Sequence, residues 1–223
     1  MRGVFKSRPI KPRYSKIWDV AKVLKHVATR SLAQKLSLQF LTLKLVILCA
    51  LVSGQRSQTL QAFNLKQCTI SNSKVAFDIH TILKHSAPNK ENVAIPLPAY
   101  PADERLCVVM YMKEYIKRTK HLRTSSQLFI SFVNPHRPVT TATISRWIKI
   151  TLGKSGIDTD VFKGHSTRAA STSAVKRDVD LHIIMRTAGW SRASTFARFY
   201  NKSPIEDDCG LAFGKAVLRK SRK

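Results

Sequence analysis

Apolar and polar positions divide the chain into stretches of different period. Ile17, Val20, Ala21, Leu24, Val27 and Ala28 recur at helical spacing, with Ser15 placed to start that helix. From Leu36 to Val52 the chain is apolar almost throughout, interrupted only by polar residues such as Gln39 and Lys44. All-round hydrophobicity of this kind predicts a helix buried on every side. Ser53-Gly54 breaks it, and a short helix is expected to resume at Arg56. Between Leu65 and Pro98 the period shortens to two. Val75, Phe77 and Ile79 alternate within Lys74–His80, and Val93, Ile95 and Leu97 repeat the pattern. The polar turn Leu83–Asn92, with Pro88-Asn89, separates them. The expectation is a small antiparallel sheet with a loop that holds Lys84, His85 and Lys90.

Helical spacing returns with Leu106, Val109, Met110 and Ile116. Leu128–Val133 is short and apolar, a strand or a buried connector. Ile144, Trp147, Ile148 and Leu152 follow Thr140-Thr141 as another amphipathic helix. Further helices are expected from about Ser166, from Asp180 with Leu181, Ile184, Met185 and Ala188, and from about Ser194. Residues 1–14 are basic and contain Pro9 and Pro12, the texture of an unstructured arm. The segment after Pro204 ends in Arg219-Lys220-Ser221-Arg222-Lys223 with no core pattern. No internal repeat is visible. These elements predict a mainly α fold with a small antiparallel β-sheet, in the α+β class.

Composition narrows the function classes. With 223 residues, 43% of them hydrophobic and 8% aromatic, the chain can bury one sizeable core and is not disordered throughout. It carries 39 Lys and Arg against 13 Asp and Glu, a net charge of +26. So basic a domain repels itself unless a polyanion neutralises it, and nucleic acid is the commonest such partner. Binding driven by phosphates weakens steeply as salt rises. On charge alone, DNA and RNA stand level, and a membrane surface stands well behind. Cys49, Cys68, Cys107 and Cys209 form no C-x-x-C pair, and none has a His at zinc spacing. A disulfide scaffold and a structural zinc site are therefore not expected, and reduced intracellular thiols are. Met1–Ser15 has no apolar core of a signal peptide, and Leu36–Val52 is too short and interrupted for a membrane span.

Candidate chemistry lies in separate segments. Ala50–Leu60 places Arg56 just after a glycine break. Gly164–Ala170 holds His165 and Arg168, and Ala188–Tyr200 runs from Gly189-Trp190 to Phe199-Tyr200. Phosphodiester exchange without a metal needs cationic forks on the non-bridging oxygens. Arginine suits this, being planar, bidentate and permanently charged. It also needs a nucleophile able to hold the phosphoryl group covalently, a role open to tyrosine, and a proton donor for the leaving sugar oxygen. His165 and Arg168 are three apart at an expected helix start, which puts them on one face beside a helix N-terminus that attracts phosphate. Phe196 and Phe199 would anchor the last helix, leaving Tyr200 about 100° further round. Each residue alone also fits a bland reading: a solvated His and Arg, a core tryptophan, a buried tyrosine with a satisfied hydroxyl.

Taken together, Ser53-Gly54-Gln55-Arg56, Ile144–Lys149, His165–Ser171 and Ala188-Gly189-Trp190-Ser191 through Phe199–Lys202 resemble the catalytic domain of tyrosine recombinases. The branch they resemble most is that of eukaryotic DIRS-type and Crypton-like mobile elements. The resemblance covers residues 36–204 and implies a catalytic constellation. Arg56 and Arg168 are the two arginines, Lys84 the leaving-group acid, and His165 the general acid/base. Trp190 takes the family's His-or-Trp position, and Tyr200 is the nucleophile that forms a 3′-phosphotyrosyl bond. Lys74 and Lys90 compete with Lys84 for the acid's role. The Trp-to-Tyr gap is one residue longer than in bacterial members, as in the eukaryotic branch. The family implies double-stranded DNA as partner, a homo-oligomer assembled on it with the segment after Pro204 as docking element, and a nuclear site of action. It implies no metal, nucleotide cofactor or small-molecule substrate. Residues 1–35, an arm and helix, stand where the family carries a helical DNA clamp and are expected to be its remnant; 205–223 form a basic tail. The competing functions are an inactive DNA-binding relic of such an enzyme, a type IB topoisomerase-like relaxing enzyme and an RNA-binding basic protein.

Overall fold

The computed structural model describes residues 14–29, 32–80, 94–176 and 178–189. The first helix, α1 (Val20–Ala28), starts at Asp19, whose carboxylate accepts the Ala21 N–H at 2.9 Å, and not at Ser15 as the spacing of apolar residues predicts. A carboxylate serves an N-terminus twice, by capping an open N–H and by opposing the helix dipole. Ile17, counted by the periodicity as helical, is instead buried ahead of the helix, as is Trp18. The Asp19→Ala variant is expected to lose about 1 kcal/mol. That is a fall of about 2–4 °C in thermal midpoint for a chain of this size, and an unchanged midpoint would show that the cap contributes nothing.

The apolar stretch forms α2 (Leu38–Ser53), opened by Ser37, whose hydroxyl accepts the Phe40 N–H at 3.3 Å, and closed by Gly54 in the left-handed region at φ 61°. Every residue from Leu41 to Leu51 is buried, as continuous hydrophobicity requires. Lys44 is 3% exposed, with its ammonium 4.3 Å from the centroid of the Tyr111 ring, a cation–π contact inside the core. Burial pushes the Cys49 thiol far above its ordinary range, so it stays protonated. A short helix, α3 (Ser57–Gln61), resumes after Arg56 as expected.

The sheet has three antiparallel strands in the order β1 (Cys68–Ile70), β2 (Lys74–Phe77), β3 (Ile95–Pro98). Val75 pairs with Leu97 and Phe77 with Ile95. Val75, Phe77 and Leu97 face the core, and Phe77 stacks on Phe63 with ring centroids 4.2 Å apart. Alternation predicts β2 and β3. It misses β1, whose side chains are half-buried or exposed and leave no apolar pattern. The expected turn Leu83–Asn92 lies outside the described residues.

Helix α4 (Val108–Thr119) buries Val108, Val109, Tyr111, Met112, Tyr115 and Thr119. Of the stripe the sequence predicts, Leu106, Met110 and Ile116 are only half-buried. The tyrosines turn the helix: the Tyr115 hydroxyl accepts the Ile130 N–H at 3.1 Å and lies 3.4 Å from the Ile130 carbonyl, which pins Leu128–Ile130 as a buried connector. Helix α5 (Thr141–Lys154) starts at Thr140, whose hydroxyl accepts the Thr143 N–H, and buries the predicted Ile144, Trp147, Ile148 and Leu152. Then come α6 (Ser166–Ala174) and α7 (Leu181–Ala188), the latter closed by Gly189 at φ 69°. Helices α4, α5 and α6 and strand β3 pack around α2, so the mainly helical fold with a small antiparallel sheet is as expected. The helix expected from Ser194 and the basic tail lie outside the described residues. Among those residues no helix is long and apolar enough to cross a membrane.

Candidate functional site

Helix α6 is built of Ser, Thr and Ala around Arg168, and Ser166–Ser173 are all buried. Several of its hydroxyls bond to nearby backbone: Thr172 Oγ1 donates to the Arg168 carbonyl at 2.7 Å, and Thr167 Oγ1 to the Gly164 carbonyl at 2.9 Å. Small side chains with satisfied hydroxyls let another backbone come close. The corner that ends α2 does so: a Cβ on Gly54 would lie 3.5 Å from Ala188 Cβ and 3.6 Å from Thr172 Cγ2.

At that corner Arg168, 3% exposed, donates from Nη1 to the Gly54 carbonyl at 3.0 Å. Gln55 Nε2 donates to the Thr187 carbonyl at 2.7 Å. The three segments singled out in the sequence therefore meet: the Ser53–Arg56 corner, the start of α6, and the end of α7 that leads into Trp190. Arg56 is half-buried in extended backbone directly before α3, two residues beyond the carbonyl that Arg168 holds. A guanidinium as buried as that of Arg168 acts on a neighbouring charge with little screening by water.

His165 and Arg168 stand three apart at the helix start and differ in exposure. His165 stands before the first residue of α6 and is exposed, whereas Arg168 points inward to Gly54. The His165 Nε2 is 2.9 Å from the Tyr14 hydroxyl, and the two rings stack with centroids 5.7 Å apart. Tyr14 also packs on Phe162, centroid to centroid 5.2 Å. Next to it, the Trp18 indole N–H donates to Ser166 Oγ at 2.8 Å, with both residues buried. Tyr14, read from the sequence as part of an unstructured arm, thus belongs to the site. No pattern marks Tyr14. For Trp18 a signal existed, a large apolar residue directly ahead of the capping Asp19.

Gly164 supplies a second close approach. A Cβ there would sit 2.8 Å from both the carbonyl oxygen and the Oγ of Ser145, so the turn before His165 lies directly on α5. The turn directly before one resembling segment, His165–Ser171, thereby lies on another, Ile144–Lys149. Lys84, Lys90, Trp190 and Tyr200 lie outside the described residues; Lys74 is exposed on β2 opposite Pro98. Among the described residues no three His, Cys, Asp or Glu side chains gather as a metal site would need.

The Phage integrase family profile matches residues 20–206, most of the chain and all of the elements above. The chain belongs to the phage integrase family. The fold of this integrase-family chain recurs in solved structures. XerH site-specific recombinase in a post-cleavage complex with palindromic difH substrate matches with a TM-score of 0.64 at 15% identity, over 92% of this chain and 54% of that one. XerA recombinase matches with a TM-score of 0.61 at 16% identity, over 95% and 66%. A lambda integrase dimer bound to a COC′ core site matches with a TM-score of 0.56 at 17% identity, over 93% and 66%. At these identities the likeness establishes the fold, that of a tyrosine recombinase catalytic domain. The integrase-family chain spans 54% to 66% of the length of these structures. No curated protein sequence matches it.

Proposed function

We propose that this phage integrase family chain cuts and rejoins double-stranded DNA through a 3′-phosphotyrosyl bond to Tyr200. The observation that carries the reading is the Arg168–Gly54 hydrogen bond. It ties the corner that bears Arg56 to the helix that bears Arg168, with His165 at that helix's start.

In this reading Arg56 and Arg168 hold the non-bridging oxygens of one phosphate, where negative charge grows as phosphorus becomes five-coordinate. The indole N–H of Trp190 adds a donor to the same oxygens. The Tyr200 oxygen attacks phosphorus and its phenolic proton passes to His165. As the new P–O bond forms, the bond to the 5′-oxygen breaks, and that oxygen takes a proton from Lys84. One ester bond replaces another, so no energy source is consumed. The 5′-hydroxyl of a second strand reverses the step, releasing Tyr200 with a rejoined backbone. The net charge of +26 supports a polyanionic substrate. Assembly as a homo-oligomer on DNA draws support from the lambda integrase dimer on its core site and the lambda integrase tetramer on a Holliday junction. The resemblance of the four segments to DIRS-type and Crypton-like elements supports a mobile element as the source of the chain and the nucleus as its place of action.

The test is a nicked suicide duplex incubated with the full chain, denatured, and digested to find the peptide joined to DNA. An adduct on the peptide containing Tyr200 is the expected result. DNA that is bound but never joined would overturn the cleavage reading in favour of an inactive DNA-binding relic.

A further inference from the structure

The segment ahead of α1 grips the start of α6 at two points. The Trp18 indole N–H holds Ser166 Oγ at 2.8 Å, and the Tyr14 hydroxyl meets His165 Nε2 at 2.9 Å. Tyr14 is itself held: its ring packs on both Phe162 and His165, and its oxygen accepts the Lys163 N–H with 3.5 Å between oxygen and nitrogen. The contact with His165 spans 151 residues of sequence, so it does not follow from any local turn.

We propose that Tyr14 is a positioning residue for His165, setting the orientation and the tautomer of its imidazole. The inference rests on the cleavage reading above for its consequence, though not for its geometry. A hydroxyl suits this place better than a carboxylate or a carbonyl because it can both give and accept a hydrogen bond. When the imidazole is neutral, the Tyr14 O–H donates to Nε2. When the imidazole is protonated, Nε2–H donates to the Tyr14 oxygen. In the cleavage reading the Tyr14 O–H turns aside as Nε2 takes the Tyr200 proton, and the new Nε2–H then donates to the Tyr14 oxygen, so the contact and the orientation it sets hold before and after the transfer. The Lys163 N–H directs the choice in the neutral state. By donating to the Tyr14 oxygen, over a long bond, it leaves the hydroxyl's own proton for Nε2. The neutral ring then carries its proton on Nδ1. The stacked Tyr14 ring limits rotation of the imidazole, and Trp18 fixes the backbone from which His165 projects by anchoring its neighbour Ser166.

The variant that tests this is Tyr14→Phe, which keeps the ring packed on Phe162 and His165 and removes only the hydroxyl. Two measurements on the full chain separate the outcomes. In the first, nitrogen-15 NMR of histidine-labelled protein reads the tautomer and titration of His165, assigned by the loss of its signals in His165→Gln. The wild type is expected to show the Nδ1–H tautomer, and Tyr14→Phe to change both tautomer and titration midpoint. In the second, single-turnover cleavage of the suicide duplex is followed against pH. Tyr14→Phe is expected to cleave about tenfold more slowly, with a shifted pH profile and unchanged DNA affinity. A purely structural role for Tyr14 would lower the thermal midpoint without moving the pH profile. Unchanged His165 resonances in Tyr14→Phe would overturn the proposal. A wild type that forms no adduct would overturn the cleavage reading, and with it any part for Tyr14 in cleavage, while the NMR arm would still decide the contact itself.

Discussion

Replacing Arg168 with lysine is expected to slow single-turnover DNA cleavage by about two to three orders of magnitude, the usual cost of one lost donor to a developing oxyanion. DNA affinity should stay within a few-fold, because a single phosphate contact contributes little to a chain of charge +26. Lysine keeps the charge and much of the length. What it loses is the planar fork. In Arg168 one nitrogen, Nη1, is committed to the Gly54 carbonyl at 3.0 Å, and the rigid guanidinium presents its other N–H groups in directions fixed by that bond. An ammonium turns freely, so it can hold the carbonyl or face the phosphate, with no geometry linking the two. The same exchange weakens the joint between α2 and α6, since a hydrogen bond to a charged donor contributes about 1.5–3 kcal/mol. Thermal unfolding read beside the cleavage rate separates the two losses. Cleavage by Arg168→Lys at the wild-type rate would remove Arg168 from the proposed site.

The Gly164→Ala variant is expected to lose about 1–3 kcal/mol of stability, the range for forcing an extra methyl group into a packed site. At this chain length each kcal/mol is about 2–4 °C of thermal midpoint. The new Cβ would stand 2.8 Å from the Ser145 carbonyl oxygen, 2.8 Å from its Oγ and 3.3 Å from its Cα. The hydroxyl can rotate away. The carbonyl cannot, because it belongs to the backbone of α5, which is anchored by the buried Ile144, Trp147 and Ile148. The turn at Gly164 must therefore shift, and His165 shifts with it. A loss of cleavage is expected to accompany the loss of stability. Ser145→Ala removes only the Oγ, so in that background Gly164→Ala should still destabilise, by a smaller amount. A double variant as stable as Ser145→Ala alone would show that the hydroxyl, not the backbone, was the obstacle.

Much of the architecture was legible because the relevant signals are local. Continuous hydrophobicity marked α2, and the core it occupies accepts apolar residues on every side. Thr140 and the apolar spacing after it marked α5, because a cap and a periodic face both act within a few residues. Alternation marked β2 and β3, where Val75, Phe77 and Leu97 face the core. The order of the chemical segments was legible for the same reason: short combinations such as Gly164-His165-Ser166-Thr167-Arg168 carry their own turn and helix start. Arg56, His165 and Arg168 are brought to one region, while Lys84, Trp190 and Tyr200 lie outside the described residues.

What escaped the sequence was decided by contacts between distant segments. Strand β1 has no alternation because its side chains are half-buried or exposed, and only pairing with β2 makes it a strand. The buried face of α4 turned toward its tyrosines because Tyr115 finds the Ile130 backbone. Arg168 reached a carbonyl 114 residues away, and His165 met a tyrosine 151 residues away. Sequence by itself determined which segments are buried and in what order the reactive residues come, since periodicity and capping report burial and ends over a few turns. The tertiary structure alone decided which reactive groups touch and which hydrogen-bond partner each one takes. Those depend on where separate helices dock, and docking is set by the shape of the whole core.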